Sequence, residues 1–352
     1  LELTNGIRTT SGSLIYQDRV PDEDSVVVDR VKKTGAIILG KTNTPEFGLL
    51  GRTENRLGDP CGNPWNPQRT AGGSSGGSGA ALAAGLCALA TGSDGGGSIR
   101  IPASCCGVYG IKPTQGRVPY YAGAYAPIST NHFSQSGPMS RSVRDSALLL
   151  QVLAGYDPRD PGSLRNVPDN YLVAADRGIG GIRIGWNSDF GYGAIDPEVK
   201  SLTETAAKVF EELGCTVEEA DIVLDPLFEA FWSLFGAVSL ARNPTVLDLH
   251  SDELTVYARD AYERGASTTG ADYAKALGEI DKIKVRFTDQ FKIYDLILTP
   301  TMAVSPFPHG EPPTVIDGQE VSAFPGSFPH TYPINMIGHP AASVPCGFSA
   351  EG

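Results

Sequence analysis

Two glycine–serine stretches limit most strongly how this chain can fold: Gly72-Gly73-Ser74-Ser75-Gly76-Gly77-Ser78 and Gly92-Ser93-Asp94-Gly95-Gly96-Gly97-Ser98. Glycine admits backbone conformations and close approaches that other residues forbid, so such runs are either flexible or built to use main-chain N–H groups. A flexible linker is the bland reading of the first. It fits poorly, because the stretch lies between the aromatic loop Asn63-Pro64-Trp65 and an alanine-rich helix expected at about 78–86. A phosphate loop needs lysine in its GxxxxGK[ST] pattern, and position 78 is serine.

The flanking sequence alternates helices and strands. Asp22-Glu23-Asp24 starts a helix on which Val27 and Val31 recur at i, i+4, and Gly35 ends it. The apolar run Ala36-Ile37-Ile38-Leu39 predicts a buried strand. Another strand is expected at about 87–92, a glycine-rich turn at 92–97, and a helix near 142–153 opened by the capping pair Ser142 and Asp145. Residues 157–180 read as loop. Ile182–Trp186 then gives a strand, and Asp196-Pro197 caps a helix whose apolar face is Val199, Leu202, Ala206, Val209 and Leu213. Segment 223–290 reads as mostly helical without a chemical motif. Tyr294–Pro300 is a buried strand, and Ala341–Pro345 a further short one. The alternation argues for an α/β sandwich with a mixed, largely parallel sheet.

Composition narrows the function. A formal charge of -12 without a basic cluster argues against direct nucleic-acid binding. No apolar run reaches membrane-spanning length. The six cysteines form no CxxC pair and read as buried, reduced thiols of a cytoplasmic protein. The five histidines (132, 250, 309, 330 and 339) show no HExxH spacing.

A Gly-Gly-Gly-Ser turn supplies a row of unobstructed N–H groups around a developing oxyanion, with a serine placed to attack the carbonyl carbon; that serine still needs a base. A rival lies in the first stretch, where Gly72–Gly76 and Gly73–Gly77 both satisfy GxSxG, the nucleophile elbow of α/β-hydrolases. The elbow should follow a buried strand directly, and Gln68-Arg69-Thr70-Ala71 does not read as one. His309, His330 or His339 would have to serve as its base.

The chain resembles the amidase signature family in a series of ordered blocks. These run from Thr9–Ser13 through Gly40–Phe47, Asn63–Pro67, both glycine stretches, Gly110–Arg117, Gly137–Met139, the 147–155 helix, the 295–301 strand and Gly338–Ala341. The resemblance implies a twisted, mixed, largely parallel central sheet sandwiched by helices. It implies one amidase domain over 1–352, incomplete at both ends, with 223–290 as a variable segment. It also implies a Ser–cis-Ser–Lys triad: Ser98 as nucleophile and Ser74 as bridging serine, with the Gly73–Ser74 peptide bond cis. Gly95, Gly96, Gly97 and Ser98 match the oxyanion-hole donors. Asp94 and Arg100 match residues that brace the loop, and Ser75 matches a second serine of the signature. No cofactor or metal is implied.

The family lysine belongs just before the Thr9–Ser13 block, which puts it immediately ahead of Leu1, so the chain reads as an internal fragment. Lys41 and Lys112 match family lysines that are structural. If the triad is right, Leu1 lies within roughly 15 Å of the Ser98 hydroxyl, because extended chain spans about 3.3–3.6 Å per residue. The implied partner is a small-molecule amide, with a homodimer allowed and neither nucleic acid nor membrane expected. Tyr120, Tyr121, Tyr125, Phe231, Trp232 and Phe235 hint at an aromatic or hydrophobic acyl group, or at core. Two readings stay open beside the amidase. A glutamine-dependent amidotransferase of the tRNA-charging type should carry Asp where Ser134 precedes Gln135. A non-catalytic binding or scaffold protein follows if the lysine is absent.

Overall fold

The structure, a computed structural model, describes residues 1–121, 123–124 and 133–350. Tyr125 and His132 lie outside them. Helix α1 (Val26–Lys33) is capped by the Ser25 hydroxyl, which accepts from the Val28 N–H. Helix α2 (Gly76–Ala83) follows the first glycine stretch, and strand β1 (Leu89–Asp94) leads into the second. Helix α3 (Arg100–Cys106) leaves that turn and stops at Gly107, whose φ of +65° closes the last turn in the left-handed region. Strands β2 (Tyr109–Lys112) and β3 (Gln135–Ser140) and helix α4 (Val143–Leu153) complete the first half. Ser142 caps α4 as the sequence predicts, accepting from the Asp145 N–H and donating to its carboxylate.

The second half opens with β4 (Arg183–Trp186), α5 (Pro197–Glu212) and β5 (Thr216–Glu219). Three long helices follow, α6 (Phe228–Arg242), α7 (Val256–Ser267) and α8 (Gly270–Gln290), then β6 (Leu296–Leu298). A short helix α9 (Tyr332–Ile337) and strand β7 (Ala341–Ser343) come last.

Helices and strands alternate as expected, and the fold is α/β. Among the described residues parallel pairing is confined to the sheet β5–β4–β6, while the sheet β7–β2–β3–β1 pairs antiparallel throughout. In that second sheet β1 sets Gly92 against Gly137 and Asp94 against Gln135. A Cβ on Gly137 would stand 2.3 Å from the Ile111 carbonyl oxygen, so only glycine admits the close approach of β2. Ile99, Met139, Leu82 and Cys106 form the apolar layer beneath this sheet. A larger core gathers Phe190, Phe231, Phe287 and Tyr332 among α6, α8 and α9.

Several sequence expectations fail. Ala36–Leu39 joins neither sheet, and Ile37 and Leu39 are 86% and 74% exposed, because an apolar run makes a buried strand only where a partner lies alongside. Residues 157–180 hold a single turn of helix, Tyr171–Ala175, capped by Asn170. Val209 and Leu213 of the α5 stripe are exposed. All six cysteines are free: Cys105, Cys106 and Cys215 are buried, but Cys61 and Cys87 only half so, and Cys346 is exposed. Among the described residues no helix is long and apolar enough to cross a membrane.

Candidate active site

The turn that follows β1 is organised by one carboxylate. Asp94 is fully buried; its Oδ1 accepts from the Gly97 N–H at 2.7 Å and its Oδ2 from the Ile99 N–H at 3.3 Å. Arg100 grips both oxygens, Nε to Oδ2 at 2.9 Å and Nη2 to Oδ1 at 3.0 Å. Burial pushes the carboxyl upward, but the Arg100 charge and hydrogen bonds outweigh it and hold it down at about 2. Charge and geometry here support one another, since the ion pair is buried and fully hydrogen-bonded.

Each glycine of the turn is required by its surroundings. A Cβ on Gly95 would meet Ser134 Oγ at 2.8 Å and the Phe235 ring at 2.9 Å, and one on Gly96 would meet the Phe231 ring at 2.9 Å. Gly97 has φ of +127° and would clash with Thr331 Oγ1 at 2.5 Å. The expectation that Gly97 donates to an oxyanion needs correction, since its N–H is already committed to Asp94. The N–H groups of Gly95, Gly96 and Ser98 have no acceptor among the described residues.

The two glycine stretches are tied together at Ser75. Its N–H donates to the Ser98 carbonyl at 3.0 Å, its hydroxyl donates to Ser93 O at 3.3 Å, and the Ser93 N–H donates back to that hydroxyl at 3.2 Å. The neighbouring peptide bond, Gly73–Ser74, is cis. Ser74 is buried, Ser98 half-buried, and both line a cavity of about 700 Å³ together with Gly95 and Leu1. A Cβ on Gly48 would lie 3.1 Å from Leu1 Cδ1 and 3.3 Å from Ser74 Oγ, so Leu1 stands at the Ser74 end of the cavity. Neither serine hydroxyl hydrogen-bonds to another described residue.

The two motif lysines lie elsewhere. Lys41 is exposed and donates to Thr4 Oγ1 at 2.8 Å and to the Glu2 carbonyl. Lys112 is fully enclosed and donates to Pro113 O at 3.1 Å; burial first, then the Arg100 charge, lower its ammonium to about 7. Neither lines the cavity, nor does any of the four described histidines. The nucleophile elbow therefore finds no imidazole among the described residues. Of the aromatic residues singled out above, Tyr120, Tyr121 and Phe235 face the cavity, whereas Phe231 and Trp232 pack against the core.

Two residues absent from the sequence reading back the turn. Thr331 Oγ1 donates to Gly96 O at 2.6 Å. Asn335 Nδ2 donates to Asp94 O at 2.9 Å and to Asp94 Oδ1 at 2.8 Å, and its Oδ1 accepts from Arg100 at 2.6 Å. The available signal was a lone asparagine amid the apolar residues of Tyr332–Ile337.

Comparison with known proteins identifies the family. The Amidase family matches residues 3–352. The chain is 37% identical to an acylamidase of Rhodococcus erythropolis, over all of this chain and 74% of that protein. It is also 37% identical to the A subunit of glutamyl-tRNA(Gln) amidotransferase from Alkaliphilus metalliredigens, over 99% of this chain and 74% of the relative. A bacterial aryl acylamidase of the amidase signature enzymes superposes with a TM-score of 0.89 at 30% identity, covering 99% of this chain and 74% of that one. The chain belongs to the amidase family. It is an amide-cleaving hydrolase.

Proposed function

We propose that the protein hydrolyses carboxamides by acyl transfer through Ser98. The carrying observation is that the Ser98 and Ser74 hydroxyls, both uncommitted, open into one cavity beside Gly95, with the N–H groups of Gly95, Gly96 and Ser98 unused. Ser98 Oγ attacks the amide carbon and gives its proton to Ser74, which passes one to a neutral lysine. The resemblance puts that lysine at the Leu1 end of the cavity, where burial would lower its pKa. The negative oxygen is held by the N–H groups of Gly95, Gly96 and Ser98. As the C–N bond breaks, the relay returns a proton to the departing amine. Water then attacks the ester on Ser98 and releases the acid.

Tyr120, Tyr121 and Phe235 give the cavity an aromatic wall, which together with the likeness to an aryl acylamidase supports an amide bearing an aromatic group. The amidotransferase reading is favoured by one observation, the equal identity to the glutamyl-tRNA(Gln) amidotransferase relatives. Against it, Ser134 rather than a carboxylate faces Gly95 at the turn. Glutamine hydrolysis dependent on added partner subunits would favour that reading.

Ser98→Ala should lower kcat by several orders of magnitude and Ser74→Ala nearly as much, because relay members act as a unit. Steady-state hydrolysis of a panel of aryl and aliphatic amides measures both. Full activity in either variant would end this mechanism.

A further inference from the structure

We infer that Asn335 is the positioning residue that aims the Gly95 N–H into the cavity. The inference rests on the acyl-transfer reading above and extends it to a residue 241 positions from the turn's carboxylate. A trans peptide is planar, with its C=O and N–H pointing in opposite directions. Asn335 Nδ2 holds the carbonyl oxygen of Asp94 at 2.9 Å, and the same peptide unit carries the N–H of Gly95. Fixing that oxygen on the α9 side turns the N–H to the other side, and Gly95 lines the cavity.

Asn335 is itself locked. It is 0% exposed, its Nδ2 also reaches Asp94 Oδ1 at 2.8 Å and Phe133 O at 3.2 Å, and its Oδ1 takes a hydrogen bond from Arg100. No rotation of the amide is available without breaking several of these bonds at once. Gly95 has no side chain to fix its own peptide plane, and a Cβ there would strike Phe235 and Ser134. The orientation of this donor therefore comes from outside the turn. The neighbouring contact, Thr331 to Gly96 O, acts on the peptide whose N–H belongs to Gly97, and that N–H goes to Asp94. Of the two side chains, Asn335 grips the peptide whose N–H faces substrate.

The test compares Asn335→Ala with Tyr192→Phe in the intact protein. Tyr192 holds the same C-terminal segment through Pro329 O at 2.7 Å and the Tyr332 hydroxyl at 3.2 Å, but makes no hydrogen bond to the turn. Hydrolysis of para-nitroacetanilide is measured per titrated active site, together with inhibition by phenylboronic acid, whose serine adduct is tetrahedral. Asn335→Ala should lower kcat roughly 10–100-fold with KM within about twofold, and weaken the boronate by a similar factor. Tyr192→Phe should lower stability and leave both readouts unchanged. Should Asn335→Ala not fold, Asn335→Ser carries the same expectation. An Asn335 variant with native kcat and boronate affinity, or a Tyr192 variant that loses both equally, would overturn the inference. If Ser98→Ala remains active, the acyl-transfer reading fails instead, whatever Asn335 does.

Discussion

At the scale of single residues, the burial of His330 ties its ionisation to folding. Its Nε2 lies 2.8 Å from Ser188 O, its ring packs 5.4 Å from Phe190, and its Nδ1 has no partner among the described residues. Burial lowers its pKa from 6.5 to about 4, against the smaller opposing effects of the Ser188 hydrogen bond and the Asp189 charge. The unfolded chain takes up a proton near 6.5 and the folded one only near 4. Stability is therefore full above about 6.5 and is lost as pH falls toward 4. His330→Gln keeps a donor for Ser188 O and removes the titration. Urea unfolding at about pH 7 and about pH 4.5 should show the variant losing less stability than the native protein between the two. Equal losses would mean that His330 does not carry the effect.

At the scale of elements, α2 is held by backbone contact more than by apolar burial. Gly77 donates to Asn43 O at 3.2 Å, and a Cβ there would stand 2.3 Å from Asn43 N. Gly278, in the middle of α8, has nothing within 4 Å of the same added atom. Gly77→Ala should destabilise by roughly 1–3 kcal/mol, while Gly278→Ala should stabilise by about 0.5–1 kcal/mol. Thermal unfolding should move in opposite directions for one identical substitution; shifts of the same sign would contradict the packing described. Elements with local punctuation are legible in the sequence. The Ser142 cap marks α4, and Asp196-Pro197 with Gly214 brackets α5. The segment 36–39 is not, because hydrophobicity records a tendency to be covered and not the presence of a cover. The same is true of Val209 and Leu213 on α5.

At the scale of the whole molecule, the site joins parts distant in sequence. Ser74 lies just ahead of α2, Ser98 ends the turn after β1, and α9 braces that turn from near the end of the described chain. The glycine turn and the serine pair are legible because their chemistry needs a local backbone pattern, and the family blocks repeat it. The commitment of the Gly97 N–H to Asp94, and the support from Thr331 and Asn335, are not. They depend on which distant side chain reaches which carbonyl, and no spacing rule encodes that. The two serine assignments need a direct decision, since Ser74 sits in a GxSxG pattern that could itself carry a nucleophile. Labelling the active protein with a fluorophosphonate and mapping the modified peptide decides between them. The adduct is predicted on Ser98, with none on Ser74 or Ser75; an adduct on either of those two would contradict the account.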